Sequence, residues 1–385
     1  MRTYFTMLLL AAIVSFLVTP LAQRLAFRIG AVDLPGARKI HGLPTARTGG
    51  LAVLLGFCAP WATLYLLDNQ VVRIFQQQEN VFLTLVACGG AMFVLGFADD
   101  LYDLHPALKL AVQAALAVAM YAGGFRVLQL SSPFSAPIDL GAFSLPFTVL
   151  WIVGITNATN LLDGMDGLVA GIAAVMALSL AMINILGGNV LVALLTFSLA
   201  GAVLGFLPYN FTPARIFLGD SGSLFIGLVM AGISTLSFFK AATATLIVIP
   251  VLLFALPLVD TTQVVIGRLR RGQHPFAPDK SHVHHRLMRL GLDQRQAAVF
   301  LYVVTLFLGV ASIILSWRIT TTAFMILALV GVTLAAAFVA LARRLARARL
   351  AANPDLHADP VSTLPQPGAT PDPPPTSRPP PPQGP

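Results

Sequence analysis

The sequence predicts an all-α, polytopic integral membrane protein, and three observations support that prediction. Of 385 residues, 57% are hydrophobic and only 10% are charged, whereas soluble domains carry about 25% charged residues. Apolar stretches of about 20 residues, the length of a helix that crosses a bilayer, recur along most of the chain. The basic residues separate onto alternate loops between those stretches. A soluble cytoplasmic protein is therefore excluded.

Eleven apolar stretches are interpreted as transmembrane helices. They cover residues 4–22, 49–67, 81–97, 107–123, 145–159, 168–186, 190–209, 222–238, 244–266, 297–316 and 321–341. The fifth is short for a span, so its boundaries are approximate.

The loop charges give the orientation. Of the 24 Lys and Arg residues, 19 fall on one side of the predicted spans and 5 on the other. The positive-inside rule makes the rich side cytoplasmic, which places the N-terminus outside and the C-terminus in the cytoplasm. Only Arg2 precedes the first span, while Arg24 and Arg28 follow it. That distribution favours an uncleaved helix over a signal peptide. The net charge of +8 thus reflects topology rather than a nucleic-acid site.

Two parts are predicted within the chain. Residues 1–350 form the transmembrane domain, and residues 351–385 contain 13 of the 27 prolines. This tail is expected to be disordered or partly polyproline II, on the cytoplasmic side. It could bind a partner, but a solvated extension is the expected reading. Cys58 and Cys88 lie in apolar runs without CxxC spacing, which excludes disulfide frameworks and thiolate metal sites.

Seven aspartates lie inside or at the edges of apolar segments: Asp99, Asp100, Asp103, Asp163, Asp166, Asp220 and Asp260. Such placements are costly without partners and indicate function. Six of the seven fall at cytoplasmic span ends, and Asp260 is about two helical turns from one. The acids therefore predict a site at the cytoplasmic face.

The first cluster, Asp99-Asp100-Leu-Tyr-Asp103, ends the third predicted span. Adjacent carboxylates repel unless a cation or a basic group compensates, and their oxygens suit Mg²⁺. The alternative is a solvated pair at the membrane interface.

The second cluster places polar residues at every third position: Asn157, Asn160, Asp163 and Asp166. On a straight helix they would sweep about 180°. They can face one point only if the helix unwinds, and Gly164 and Gly167 permit that. Amide and carboxylate groups suit a sugar or a base. The alternative is a polar turn that ends a helix.

The third cluster comprises Asn210 and residues 217–223, which enter the eighth predicted span. Asp220 or Ser221 is predicted to cap that helix. Its free N–H groups could also bind phosphate, with the aspartate holding a divalent ion against the same phosphate.

The fourth cluster, Pro278-Asp-Lys-Ser-His282-Val-His284-His285-Arg-Leu287, lies in a predicted loop. Three histidines could ligate a transition metal, but flanking Lys and Arg favour an anion site. A fifth, basic segment around Lys39 reads as a phosphate-binding loop or as ordinary positive-inside charge.

Together these motifs make the chain resemble the polyprenyl-phosphate N-acetylhexosamine-1-phosphate transferases. The motifs DDLYD, NATNLLDGMDGL, FLGDSGS and PDKSHVHHRL occur in the family's order, within a resemblance that runs over about residues 33–296. The His-x-His-His form resembles the bacterial N-acetylglucosamine branch rather than the muramoyl-pentapeptide transferases. The Pro-rich tail departs from the family pattern.

The resemblance implies transfer of N-acetylhexosamine 1-phosphate from a UDP-sugar to undecaprenyl phosphate in the bacterial inner (plasma) membrane, with release of UMP. This would be the first membrane step of cell-envelope polysaccharide synthesis. The favoured sugar is N-acetylglucosamine, and other UDP-N-acetylhexosamines are alternatives. The implied cofactor is Mg²⁺, for which Mn²⁺ could substitute. The implied partners are the UDP-sugar, undecaprenyl phosphate and membrane lipid, without nucleic acid; a homodimer is an assembly to consider.

The resemblance also assigns roles to individual residues. The implied catalytic residues are Asp99, Asp100 and Asp163, with the first two where the lipid phosphate attacks. The implied substrate-binding residues are Lys39, Asn160, Asp166, Asn210, His282, His284 and His285. The implied metal ligands are Asp220 and Asn160. Two mechanistic alternatives stay open: a general-base role for Asp99 and a covalent aspartyl-phosphate intermediate.

Two rival functional classes fit the sequence less well. A multi-span transporter should place its acids near the midplane of two related halves, whereas here they gather at one face without a repeat. A CDP-alcohol phosphotransferase needs Ala-Arg after its first Asp-Gly, whereas Leu168-Val169 follows Asp166-Gly167. A non-catalytic scaffold would have no use for the four polar clusters.

Overall fold

The computed structural model describes residues 2–33, 44–64, 70–132, 135–238, 248–273, 282–316 and 344. Their helices are α1 (Arg2–Ile29), α2 (Gly49–Leu64), α3 (Gln70–Gln77), α4 (Glu79–Tyr102), α5 (Pro106–Ala122), α6 (Ser144–Leu162), α7 (Leu168–Leu186), α8 (Val190–Asn210), α9 (Gly219–Phe238), α10 (Val248–Leu253), α11 (Ala255–Arg270), α12 (Val283–Arg289) and α13 (Gln294–Ser316). The fold is mostly helical, as predicted.

Among the described residues, seven helices are long and apolar enough to cross a membrane: α1, α4, α6, α7, α8, α9 and α13. The shorter helices α2 and α5 are also apolar. The prediction of a multi-pass membrane protein is therefore confirmed, and α7 has the predicted bounds. The ninth predicted span contains two helices, α10 and α11, which meet at Phe254.

Several predictions fall outside the described residues. They concern the eleventh span at 321–341, the tail at 351–385, and Lys39. The prediction of about eleven spans with an external N-terminus and a cytoplasmic C-terminus therefore stays a prediction.

Helices α7, α8 and α9 form the centre of the bundle. In the most apolar 18-residue window of α9, 89% of the residues are buried, against 28% for α1. Small residues let neighbouring helices come close. A Cβ on Gly201 or Gly205 of α8 would strike the backbone carbonyl of Leu8 or Ala12 on α1, so glycine is required at this contact.

Three small features were not predicted. Strands β1 (Val32–Asp33) and β2 (Thr45–Ala46) form one antiparallel pair, and β3 (Gln129–Ser132) and β4 (Ser135–Asp139) form another. The amphipathic helix α3 buries Phe75, which packs in an aromatic cluster with Trp61 and Phe82. These elements lie between the apolar runs from which the spans were predicted.

Candidate active site

The first and third motifs meet where α4 ends and α9 begins. Asp100, in the last turn of α4, accepts hydrogen bonds at Oδ1 from the backbone N–H of Asp220 (3.0 Å) and at Oδ2 from that of Ser221 (3.1 Å). Both N–H groups belong to the first turn of α9 and lack partners within the helix, and a carboxylate there also complements the helix dipole. The prediction that Asp220 or Ser221 caps α9 is therefore wrong, because α4 supplies the carboxylate. Two of the N–H groups expected to bind phosphate are already engaged.

Two glycines make this junction possible. A Cβ on Gly96 of α4 would lie 2.5 Å from the carbonyl carbon of Asp220. Gly219, the first residue of α9, has a φ of +75°, and a Cβ there would lie 2.6 Å from Oδ2 of Asp100. Glycine is the residue that tolerates both the left-handed backbone and the close approach.

Lys109 connects the two remaining carboxylates of this junction. Its Nζ lies 2.6 Å from Oδ2 of Asp99 and 3.7 Å from Oδ2 of Asp220. Asp99 also accepts a hydrogen bond from the backbone N–H of Leu104 at 2.8 Å. The side chain of Asp99 is only 6% exposed, whereas that of Asp220 is 35% exposed. Asp220 is therefore the more accessible of the two to a ligand.

The second motif joins the same junction through α6. Asn160, in its last turn, donates from Nδ2 to Oγ of Ser223 on α9 at 2.9 Å. Helix α6 ends at Leu162, and the chain then forms an irregular turn, residues 163–167, in which Gly167 has a φ of +71°. The predicted unwinding of the helix in this motif is therefore confirmed. The 163–167 turn carries Asp163 beside the junction.

The carboxyl group of Asp163 is buried near three other carboxylates, and its pKa is raised. Burial, and then the nearby carboxylates of Asp220, Asp100 and Asp166, raise the pKa of its carboxyl to about 8, against a smaller opposing effect of Arg47. A raised carboxyl pKa means that the surroundings disfavour the charged form. Apart from burial, the neighbouring carboxylates outweigh Arg47, so the junction disfavours a further negative charge.

Asp166 and Asn210 both bind the loop between α8 and α9. Oδ2 of Asp166 accepts from the backbone N–H of Ala214 at 2.9 Å. Buried Asn210 donates from Nδ2 to the carbonyl of Ile216 at 2.9 Å. These contacts hold the loop beside the 163–167 turn; the substrate-binding roles of both residues stay predictions.

A carboxylate of α11 holds the histidine segment of the fourth motif. Asp260 accepts at Oδ1 from the backbone N–H of Val283 at 2.7 Å, and its Oδ2 lies 2.8 Å from Nδ1 of His282. Both side chains are buried. Asp260 therefore holds the start of α12.

His284 lies against the 163–167 turn. A Cβ on Gly164 would be 2.8 Å from Cε1 of His284, and the ring of His284 is 5.7 Å from that of His282 and 4.3 Å from that of His285. Neither ring nitrogen of buried His284 has a hydrogen-bond partner in the described part of the chain. Burial, and then the neighbouring His285 and His282, lower its pKa to about 4. His284 is therefore neutral at physiological pH.

All four motifs are thus in contact at one end of the bundle. Sequence reasoning missed Lys109 as a site residue, although it lies in the first turns of α5, ten residues after Asp99. It also missed Tyr302 of α13, whose Oη donates to the carbonyl of Gly167 at 2.6 Å. Neither residue lies within one of the four motifs, so no sequence pattern identified it.

The family resemblance implies Mg²⁺, and the chemistry of the junction fits that ion. Carboxylate oxygens are hard ligands, and the charge excess reported by Asp163 is what a divalent cation would offset. Among the described residues, no three His, Cys, Asp or Glu side chains converge as a metal-binding group. Mg²⁺ typically takes one or two carboxylates and completes its shell with water and substrate phosphates. Asp220 and Asn160 are suited to that smaller share.

Comparison with known proteins agrees with the motifs. The family model described as glycosyl transferase family 4 matches residues 82–238. The chain is 38% identical over 313 residues to the probable undecaprenyl-phosphate N-acetylglucosaminyl 1-phosphate transferase of Bacillus subtilis, an alignment that covers 80% of this chain and 85% of the relative.

Two further relatives carry related names. The decaprenyl-phosphate N-acetylglucosaminephosphotransferase of Mycolicibacterium smegmatis is 35% identical over 321 residues, covering 76% of this chain and 77% of the relative. The undecaprenyl-phosphate alpha-N-acetylglucosaminyl 1-phosphate transferase of Escherichia coli K12 is 30% identical over 289 residues, covering 73% and 75%.

Proposed function

This chain belongs to glycosyl transferase family 4, the polyprenyl-phosphate N-acetylhexosamine-1-phosphate transferases, and from that premise we propose that it transfers N-acetylglucosamine 1-phosphate from UDP-N-acetylglucosamine to undecaprenyl phosphate and releases UMP. The observation that carries the proposal is the 38% identity, over 80% of the chain, to a relative named for this transfer. The contact of all four motifs at one end of the bundle supports it.

The site is proposed to lie at the cytoplasmic face of the bacterial inner membrane. The distribution of Lys and Arg, 19 against 5 across the predicted spans, supports this orientation. It also suits the substrates, because the lipid phosphate stays at the membrane surface while the charged UDP-sugar is in the cytosol. The product would supply the first lipid-linked sugar of a cell-envelope polysaccharide.

The proposed reaction is a phosphoryl substitution. An oxygen of the lipid phosphate attacks the phosphorus that carries the sugar; a new P–O bond forms, and the bond from that phosphorus to the oxygen of UMP breaks. The lipid phosphate is mostly ionised at pH 7, since the second pKa of phosphate monoesters is about 6. A strong general base is therefore not required, and positioning and charge stabilisation carry most of the catalysis.

The residues at the junction have distinct proposed tasks. Asp220 and Asn160 would hold Mg²⁺, which when bound neutralises the charge of the diphosphate and of the leaving UMP. Asp99, held by Lys109, and Asp163 border the reacting groups. Asp100 keeps α9 in register with α4, so that Asp220 is presented at the junction.

The activity is tested with purified protein, undecaprenyl phosphate, Mg²⁺ and a panel of UDP-sugars. We expect UMP release and a lipid product whose mass increases by one N-acetylhexosamine phosphate, fastest with UDP-N-acetylglucosamine. Faster turnover of another UDP-N-acetylhexosamine would reassign the sugar. An absence of lipid product with every donor would refute the transferase proposal.

The orientation is tested with single cysteines at Ser281 and Ser135, after replacement of Cys58 and Cys88. We expect a membrane-impermeant thiol reagent to label Ser135→Cys from outside intact cells and Ser281→Cys only after permeabilisation. Labelling of both from outside would place the proposed site on the wrong face.

A further inference from the structure

Asp260 makes contacts that neither the motifs nor the proposed reaction assign. It lies on α11, outside the four motifs, and is only 4% exposed. Its Oδ1 accepts a hydrogen bond from the backbone N–H of Val283 at 2.7 Å, and its Oδ2 lies 2.8 Å from Nδ1 of His282. His282 is itself only 7% exposed. Burying a carboxylate is costly unless its oxygens are hydrogen-bonded, and both oxygens of Asp260 are engaged by residues of the fourth motif.

The two contacts determine how His282 is presented. An ionised carboxylate only accepts hydrogen bonds, so Nδ1 of His282 must carry the proton that it shares with Asp260. The hydrogen bond at one ring nitrogen decides which nitrogen is left for another partner. Here that nitrogen is Nε2. The contact with Val283 simultaneously fixes the backbone from which His282 projects.

The geometry around His282 extends this control to the second motif. The ring of His282 lies nearly parallel to that of His284, with an interplanar angle of 14°. His284 in turn touches Gly164 in the 163–167 turn that carries Asp163. An imidazole held at Nδ1 is therefore part of a packed series that ends beside the reacting groups.

We propose that Asp260 is a positioning residue that acts through His282, fixing the ring orientation and the Nδ1-protonated form with which His282 faces the UDP-sugar. This inference rests on the proposed function, because the role of His282 in binding the donor does. It assigns no direct contact between Asp260 and substrate.

Asp260→Asn separates positioning from simple helix capping. The amide oxygen can still accept from the N–H of Val283, so the start of α12 is retained. The amide nitrogen, now facing Nδ1 of His282, can only donate, which forces the proton of a neutral ring to Nε2. We expect kcat/KM for the donor to fall about ten- to 100-fold, the range for a lost hydrogen bond to a charged group.

A double-mutant cycle with His282→Ala shows whether the effect passes through His282. We expect Asp260→Asn to change kcat/KM less than twofold in the His282→Ala background. The matched control is Asp293→Asn, which alters an exposed carboxylate that accepts from the backbone N–H of Gln296 at the start of α13; it should be nearly silent in both backgrounds. An equal loss from Asp260→Asn with and without His282, or no loss at all, would overturn the proposal.

A spectroscopic measurement tests the same point without turnover. In protein labelled with ¹⁵N-histidine, the resonance absent from His282→Ala identifies His282. We expect its Nδ1 to be protonated in the wild type and its Nε2 alone to be protonated in Asp260→Asn at neutral to alkaline pH. An unchanged tautomer would refute the positioning role even if the protein fails to use UDP-N-acetylglucosamine, so this failure is distinct from failure of the proposed function.

Discussion

Asp100 and Asp260 perform the same structural task in two neighbouring regions with opposite electrostatic character. Each is a carboxylate of one helix that accepts a hydrogen bond from a backbone N–H in the first turn of another helix. Asp100 does so for α9, and Asp260 does so for α12. Around Asp100 the other side chains are mainly carboxylates, and we call this the acidic region. Around Asp260 they are imidazoles, and we call this the histidine region.

The pKa directions of the two regions show what the difference means. In the acidic region the pKa of Asp163 is raised to about 8, and in the histidine region that of His284 is lowered to about 4. Burial is the largest cause of both shifts, and like groups nearby add to it. The carboxylates of the acidic region suit a cation, whereas neutral imidazoles of the histidine region can donate N–H hydrogen bonds to an anion. A Mg²⁺-bound diphosphate presents both.

The largest expected effect comes from Asp220→Asn, which removes a carboxylate from the acidic region. The amide keeps the shape of the side chain but lacks the charge proposed to hold Mg²⁺. Because Asp100 supplies the carboxylate at the start of α9, the substitution leaves that contact intact. We expect turnover to fall about 1,000-fold or more, about 4 kcal/mol, without rescue by added Mg²⁺. Steady-state UMP release measures it.

Asp293→Asn is the control for this substitution. It also exchanges an aspartate for asparagine, but at an exposed position that caps α13. We expect it to keep turnover within about twofold. Similar turnover in the two variants would remove the basis for a metal role of Asp220.

Much of this site was predictable because every motif lies at the end of an apolar run. The cytoplasmic assignment of Asp99, Asp163 and Asp220 predicted that they would meet, and glycines in the second motif predicted where α6 unwinds. The contacts of Asp100 with residues 220 and 221 could not be predicted, because they join positions about 120 apart in the chain. Local capping rules favoured a nearby residue instead.

The partners of Asp260 and Tyr302 were hidden for a related reason. Each lies on a helix outside the four motifs, where a polar residue also fits a purely structural role. Only the packing of α11 on α12 and of α13 on the 163–167 turn reveals what they contact. The elements β3, β4 and α3 escaped prediction because hydropathy over about 20 residues does not detect such short segments.

Lys109→Met removes a basic group that contacts two carboxylates of the acidic region. Asp99 would lose a partner at 2.6 Å, and we expect turnover to fall about ten- to 100-fold. Lys109 also lies 3.7 Å from Asp220, where it competes with a cation for the same charge. The Mg²⁺ concentration for half-maximal rate should therefore fall severalfold, even as the maximal rate drops.

Lys109→Arg is the matched comparison, since it keeps the positive charge but changes the donor geometry. Its Mg²⁺ requirement should stay close to that of the wild type. A higher Mg²⁺ requirement in Lys109→Met would contradict the competition and would place Lys109 on the substrate instead.

Acidification tests the histidine region. Unfolded histidine has a pKa of about 6.5, whereas that of folded His284 is about 4. The folded state disfavours the proton, so the stability contributed by neutral His284 is complete above pH 6.5 and is lost as the pH falls toward 4. Between pH 7.5 and 5 the loss is about 2 kcal/mol, which should lower Tm by a few degrees.

Thermal unfolding of detergent-purified protein measures this contribution. His284→Gln should be less stable at pH 7.5 but should show a smaller decrease in Tm on acidification. His105→Gln, an exposed position at the start of α5, should keep the slope of the wild type. If His284→Gln also keeps that slope, the acid sensitivity arises elsewhere.

Tyr302→Phe gives the smallest expected effect and tests the link between the two regions. Tyr302 donates to the carbonyl of Gly167 at 2.6 Å and packs on Gly171, so it holds the 163–167 turn from the side of α13. That turn carries Asp163 toward the acidic region and Gly164 against His284 in the histidine region. Losing one hydrogen bond costs about 1 kcal/mol, or about fivefold in kcat/KM. Tyr121→Phe removes a comparable hydroxyl, 3.2 Å from Oγ of Ser144 at the opposite end of α6, and should be nearly silent. If the two variants behave alike, the turn is held without α13, and the link between the acidic and histidine regions within the described residues is the contact of His284 with Gly164.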